Sequence, residues 1–176
     1  MPIQRHAALA PLSRDHHVAL QLAVALRSDG LRHLRERLPA DPVALAAYVC
    51  RYFEDELEPH FGIEELELMV AVDGLDRDVD TMCADLRRDH DKMRELIADL
   101  GRAKDKAIIL ALLDRFGRLL ETHVRQEERT FFGRVQELID PKVLAEIAPR
   151  LERGTPPARI ATEPPSPRRR SVKRAV

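Results

Sequence analysis

Residues 112–131 read LLDRFGRLLETHVRQEERTF. Leu112, Phe116, Leu119, Leu120, His123, Glu127 and Phe131 recur at three- and four-residue steps, so they share one side of a helix. That side is apolar except for His123 and Glu127. A carboxylate facing a core without a partner costs several kcal/mol, or takes up a proton to become neutral. The pair therefore asks for something positive in the core.

The same break recurs outward from this stretch. The preceding helical run carries Cys83, Leu86, His90, Met93, Ile97 and Leu100, with one histidine in the stripe. The run before that gives Phe53, Leu57, His60 and Glu64, again a histidine followed four residues later by a glutamate. The first run offers neighbours, His16 and His17. The helical period from His16 meets Ala19, Leu20, Ala23, Leu26, Gly30 and Leu34, and from His17 it meets Leu20, Gln21, Val24, Ser28, Leu31 and Arg35, a less apolar set. This favours His16 inward, with His17 as the alternative. Histidine and glutamate one turn apart project from the same side of a helix and reach one site. Four imidazoles and two carboxylates without a thiolate suit iron or another first-row metal better than calcium or magnesium. One HxxxE pair is common by chance. Two such pairs alternating with lone histidines are far harder to read as surface histidines with helix-stabilising charge pairs. His6 and His33 read as surface residues, and Glu65, Glu67 and Glu128 as solvated or lying behind the inward groups.

Start and stop signals divide the chain into four long helices. Ser13, after Leu12, reads as the N-cap of a helix over residues 13–38 that stops before Pro39. Asp41-Pro42 opens a second helix to residue 72, which Pro59 should kink or deprive of one hydrogen bond. Asp73-Gly74 marks a turn. The third helix covers 77–100, with Gly101 as its stop, and the fourth 105–139. Asp140-Pro141 opens a short fifth helix over 142–152. Short links between long helices predict an all-α, antiparallel up-down-up-down four-helix bundle with a short C-terminal fifth helix. The bundle domain is 1–153. Residues 154–176 are rich in proline and arginine and read as a basic, disordered tail.

Among 176 residues the net charge is −1, yet the tail holds six basic residues against Glu163. The remainder is acidic, which argues against nucleic-acid binding by the bundle. No apolar run approaches the roughly 20 residues of a membrane span. The start lacks the apolar core of a secretory signal, so the expected location is the cytoplasm. Cys50 and Cys83 form no CxxC and read as reduced thiols. Zinc fingers, phosphate-binding glycine loops and nucleophilic triads are not among the motifs.

The stretches Leu12-Ser-Arg-Asp-His-His17, Pro59-His-Phe-Gly-Ile-Glu-Glu65, Arg88-Asp-His-Asp91 and His123-Val-Arg-Gln-Glu-Glu128 resemble the hemerythrin-like (HHE cation-binding) family. The resemblance covers roughly residues 12–135. It implies a non-haem centre of two iron ions with an oxo or hydroxo bridge. Glu64 and Glu127 would span the irons, and His16, His60, His90 and His123 would be terminal ligands. The oxygen-carrying members have a second histidine one turn along the third helix, and here that position is Arg94. Fewer nitrogen ligands leave an iron open or completed by His17, Glu56 or water, which counts against stable O₂ carriage. The order His-before-Glu also differs from the Glu-x-x-His pairs of ferritin-like proteins. The expected function is binding or sensing of O₂, NO, peroxide or iron, with Leu20, Leu57, Met93, Phe116 and Leu120 lining the pocket. The alternatives are a diiron oxidase or catalase-like enzyme, and a scaffold acting through its tail.

Overall fold

Aspartates set the helix starts. Asp41 accepts the amides of Val43 and Ala44, each at 3.1 Å. Asp76 accepts Asp78 and Val79 at 3.0 and 3.1 Å, and Asp105 accepts Ala107 and Ile108 at 2.8 and 3.0 Å. Each satisfies amides that have no partner inside the helix. In the computed structural model, which describes residues 5–153, these caps open α2 (residues 42–72), α3 (Arg77–Arg102) and α4 (residues 106–138). The first helix, α1, is Ala10–Leu26, and α5 is Pro141–Arg153. The described residues are helices and connecting turns, with no strand. The expected basic tail, 154–176, lies outside them.

Three sequence expectations change. Ser13 is not an N-cap: α1 starts at Ala10, after a 3-10 turn at Ala7–Leu9 in which His6 Nδ1 accepts the Ala8 amide. Pro11 occupies the first turn, where its missing N–H leaves nothing unsatisfied. The first helix also ends at Leu26, well short of residue 38, because α4 holds the next residues. Ser28 N–H donates to Asp114 at 2.7 Å, Arg118 pairs with Asp29, and Arg27 pairs with Glu121. A Cβ on Gly30 would lie 1.9 Å from the Val24 carbonyl oxygen, so the chain doubles back there only with glycine. A separate turn, Arg32–Arg35, follows. Lastly, α3 runs through Gly101, since the cost of one helical glycine does not end a helix whose buried face continues to Leu100.

Contacts from α1 and the two residues after it to α4 join His16 to Glu128, Arg27 to Glu121 and Ser28 to Asp114, one series ascending as the other descends. Between α2 and α3 the same holds for Glu65 with His90, Glu58 with Arg94 and Cys50 with Ile97. The apolar core lies in two parts. One holds Leu22, Val49, Leu57, Phe61, Met93, Phe116 and Leu120, and the other holds Leu12, Leu68, Leu86, Phe131, Phe132 and Val135. Both cysteines are free, with Cys83 in the second part. No described helix is long and apolar enough to cross a membrane.

Gly117 sets how closely α4 approaches α1. A Cβ there would meet the Ala23 carbonyl oxygen at 2.6 Å and the Leu26 Cβ at 3.1 Å, both too near. Gly117→Ala should therefore lower stability by about 1–3 kcal/mol through overpacking, although alanine is ordinarily the better helix former by about 1 kcal/mol. Denaturant unfolding measures this, and a more stable variant would contradict the close approach.

Candidate metal centre

A single layer separates the two apolar parts. On α1, His16 falls between Leu12 and Ala19. On α3, His90 falls between Leu86 and Met93. On α2 and α4, the pairs His60/Glu64 and His123/Glu127 fall between Leu57 and Leu68, and between Leu120 and Phe131. These six are the buried polar or charged residues among those described, each at most 2% exposed.

The imidazoles meet in two pairs. His16 Nε2 lies 3.0 Å from His60 Nε2, and His90 Nε2 lies 3.1 Å from His123 Nε2. Each carboxylate touches both pairs. Glu64 Oε1 is 3.1 Å from His60 and 3.5 Å from His16, while its Oε2 is 3.5 Å from His90. Glu127 Oε2 is 3.1 Å from His16 and 3.3 Å from His123. Donor atoms of Glu64, His90, His123 and Glu127 lie within 4.8 Å of one another, and so do those of His16, His60 and Glu64. Glu64 belongs to both groups.

None of the four Glu64 and Glu127 oxygens has a hydrogen bond of acceptable geometry. Buried polar atoms of this kind are rare and call for a partner. With four convergent Nε2 atoms and no thiolate, the donor set fits a first-row transition metal such as iron.

Electrostatics agree with the shortage of positive charge. Burial opposes the charged form of His60, but Glu64 and Asp15 more than offset it and raise its pKa to about 9. Burial opposes the charge on His16 too, and Glu127, Glu128 and Glu64 lift it well above its ordinary value. Burial would raise Glu64, yet His60, His16 and His90 hold it well below the carboxylate range. His123 is lowered, chiefly by burial, and its Nδ1 has no partner. Without a metal, protons on imidazoles supply part of the positive charge. A metal would displace them, so its affinity should fall in acid.

The other candidates point elsewhere. His17 is exposed, with its Nε2 2.9 Å from Gln21 Nε2, so His16 is the inward member of the pair. Glu56 is half-buried and belongs to neither donor group. Arg94 turns outward to Glu58, Glu65 and Asp91. His33 is exposed, and Glu67 pairs with Arg150. Leu57, Met93, Phe116 and Leu120 lie in the apolar part on one side of the layer, with Leu20 packed against it.

Two features were not expected. One is a set of aromatic walls. Phe61 stacks on His90 with ring centroids 3.9 Å apart, and Phe132 stacks on His16 at 5.3 Å. The other is a set of π turns, Phe53–Leu57, Glu64–Leu68 and Glu127–Phe131, whose closing amides reach back five residues. Two of the three begin at an inward glutamate. The first ends two residues before Pro59, which has no N–H to give. Such turns often mark functional sites. The sequence signal lies in the steps. The buried residues His123, Glu127, Phe131, Val135 and Ile139 are all four apart. In a regular helix each such step drifts by about 40°, and a wider turn removes the drift. On α3, Val79, Cys83, Leu86, His90, Met93, Ile97 and Leu100 alternate fours and threes, and that helix is unbroken.

The described chain is thus an all-helical protein whose core holds a buried histidine–glutamate site fit for a cation. The family profile described as the hemerythrin HHE cation binding domain matches residues 6–135, and the chain belongs to that family. No curated protein and no solved structure matches it.

Because Glu64 belongs to both donor groups, Glu64→Ala should abolish metal uptake. His123→Ala should leave one group complete and retain part of it. Equal metal content in the two variants, measured by elemental analysis, would contradict the shared role.

Proposed function

We propose that this protein holds two non-haem iron ions in an antiparallel up-down-up-down four-helix bundle, residues 1–153, and that the site binds or senses a small molecule such as O₂, NO or peroxide. The observation that carries this is the buried layer of six donor residues, whose four carboxylate oxygens lack hydrogen-bond partners. His16 and His60 would hold one ion and His90 and His123 the other, with Glu64 and Glu127 touching both. Iron held there would supply redox chemistry and a place for the small molecule to bind. The chain's own part is to fix the donors, keep water out with Leu57, Phe61, Met93, Phe116 and Phe132, and set the local dielectric.

The outward Arg94 supports binding or sensing over oxygen carriage, since no side chain from that turn adds a nitrogen donor. We place the protein in the cytoplasm, with residues 154–176 as a separate basic tail. An oxidase or catalase-like activity is the competing reading, and turnover of peroxide by the iron-loaded chain separates it from simple binding.

Metal content of the purified chain, with its ultraviolet–visible spectrum in air, is the direct test. Two irons per chain with ligand-to-iron charge-transfer bands are expected. His60→Ala and His123→Ala should each be metal-poor and less stable, and full iron content in both would overturn the assignment. A chain that takes up no iron after anaerobic loading would end the iron reading.

A further inference from the structure

Each inward glutamate is followed directly by a second glutamate, in His60-Phe-Gly-Ile-Glu-Glu65 and in His123-Val-Arg-Gln-Glu-Glu128. The second glutamates do not face solvent idly. Glu65 Oε1 lies 2.7 Å from Nδ1 of His90 on the neighbouring helix α3. Glu128 Oε1 lies 2.7 Å from Nδ1 of His16 on the neighbouring helix α1. Each is itself pinned by an arginine. Arg94 lies 3.1 Å from Glu65 Oε1, and Arg5 lies 2.5 Å from Glu128 Oε2. Arg5 also donates to the Glu128 carbonyl at 2.8 Å and sits over the Phe132 ring that stacks on His16. The two assemblies match part for part: inward glutamate, outer glutamate, arginine, and a phenyl ring against the lone histidine.

We infer that Glu65 and Glu128 are positioning residues of the metal centre, each holding the lone histidine of the neighbouring helix through its Nδ1 so that Nε2 faces inward. The inference rests on the metal reading above. An imidazole whose Nδ1–H donates to a carboxylate is locked in one tautomer with its Nε2 lone pair free, and it is a more basic ligand. Adjacent glutamates on a helix point about 100° apart, so one EE dipeptide serves both the centre and the next helix. Each HxxxEE segment thus supplies two donors of its own and orients a third from its neighbour. Arg94 takes part in this: in place of a nitrogen donor it supplies the guanidinium that fixes Glu65. His60 has its own acceptor in Asp15, 3.1 Å away, and His123 has none.

The test uses the full chain loaded with zinc, which is diamagnetic, and labelled with ¹⁵N at histidine. The expected result is slowly exchanging Nδ1–H signals from His16, His60 and His90 but not from His123. Glu65→Ala should remove the His90 signal alone, Glu128→Ala the His16 signal alone, and each should weaken zinc affinity by about 10–100-fold in chelator competition. Glu65→Gln and Glu128→Gln keep an accepting oxygen and should recover part of both readouts. Glu67→Ala, on the same helix but paired with Arg150, should change neither. If an alanine variant does not fold, Arg94→Ala leaves Glu65 in place and should speed exchange at His90 alone. Retention of the His90 signal and of full affinity in Glu65→Ala would overturn the inference while leaving the metal reading intact. A wild-type chain that binds neither zinc nor iron would overturn both.

Discussion

Two carboxylates with no exposure to water, Glu64 and Glu127, are the constraint around which the rest of the molecule is arranged. Ionised and unpaired, they would be far too costly to keep. The protein answers by bringing an imidazole from each of four helices to the same level. That concentrates the buried imidazoles and carboxylates of the described residues in one slab, with apolar packing above and below it. The stability of the fold and the chemistry of the centre therefore depend on the same six side chains.

Around that slab, charge alternates outward. The carboxylates sit innermost and the imidazoles surround them. Asp15, Glu65 and Glu128 lie behind three of the imidazoles, and Arg94 and Arg5 behind two of those acids. Such layering spreads the cost of burial over several partners. It also explains why Glu128 stays ionised: burial would raise it, but His16 and Arg5 hold it at about 2. The His123 corner is the exception, with an unpartnered Nδ1 and a lowered pKa. Of the four imidazoles it alone has no acid behind it.

Much of this was legible in the sequence because burial of polar residues leaves a periodic trace. His60, Glu64, His90, His123 and Glu127 interrupt apolar stripes, and comparing the two stripes of the first helix favoured His16 over His17, which stayed open until the structure turned His17 outward. The Asp41 cap was legible for a local reason, since a side chain that reaches its own helix start needs no tertiary information, and the starts near 77 and 105 were placed without their capping residues being read. The end of α1 was not legible, because it depends on Asp114, Arg118 and Glu121, some ninety residues away. Nor were the roles of Glu65 and Glu128. An acid at the edge of an amphipathic helix reads the same whether it meets water or the back of a histidine. Ser13 misled because a serine after a leucine imitates a helix start, and the true start came from His6 and Pro11.

The π turns bear on how such a centre could be moved or rebuilt. Each is in effect one surplus residue held in the backbone. Removing an exposed position within one, such as Leu66, would let the helix close as an ordinary one. That closure would leave the two flanks facing as they do now, whereas closing the turn with every residue kept would rotate everything before it by about 100° relative to everything after it. On α2 that would leave His60 and Glu64 facing inward while Leu68, Met69 and Val72 swung out of the second apolar half. The portable unit is therefore longer than HxxxE. It is the motif together with the widened turn that follows it, and a graft of the ligands alone would bring the right atoms into a helix whose two ends no longer agree on which way is in.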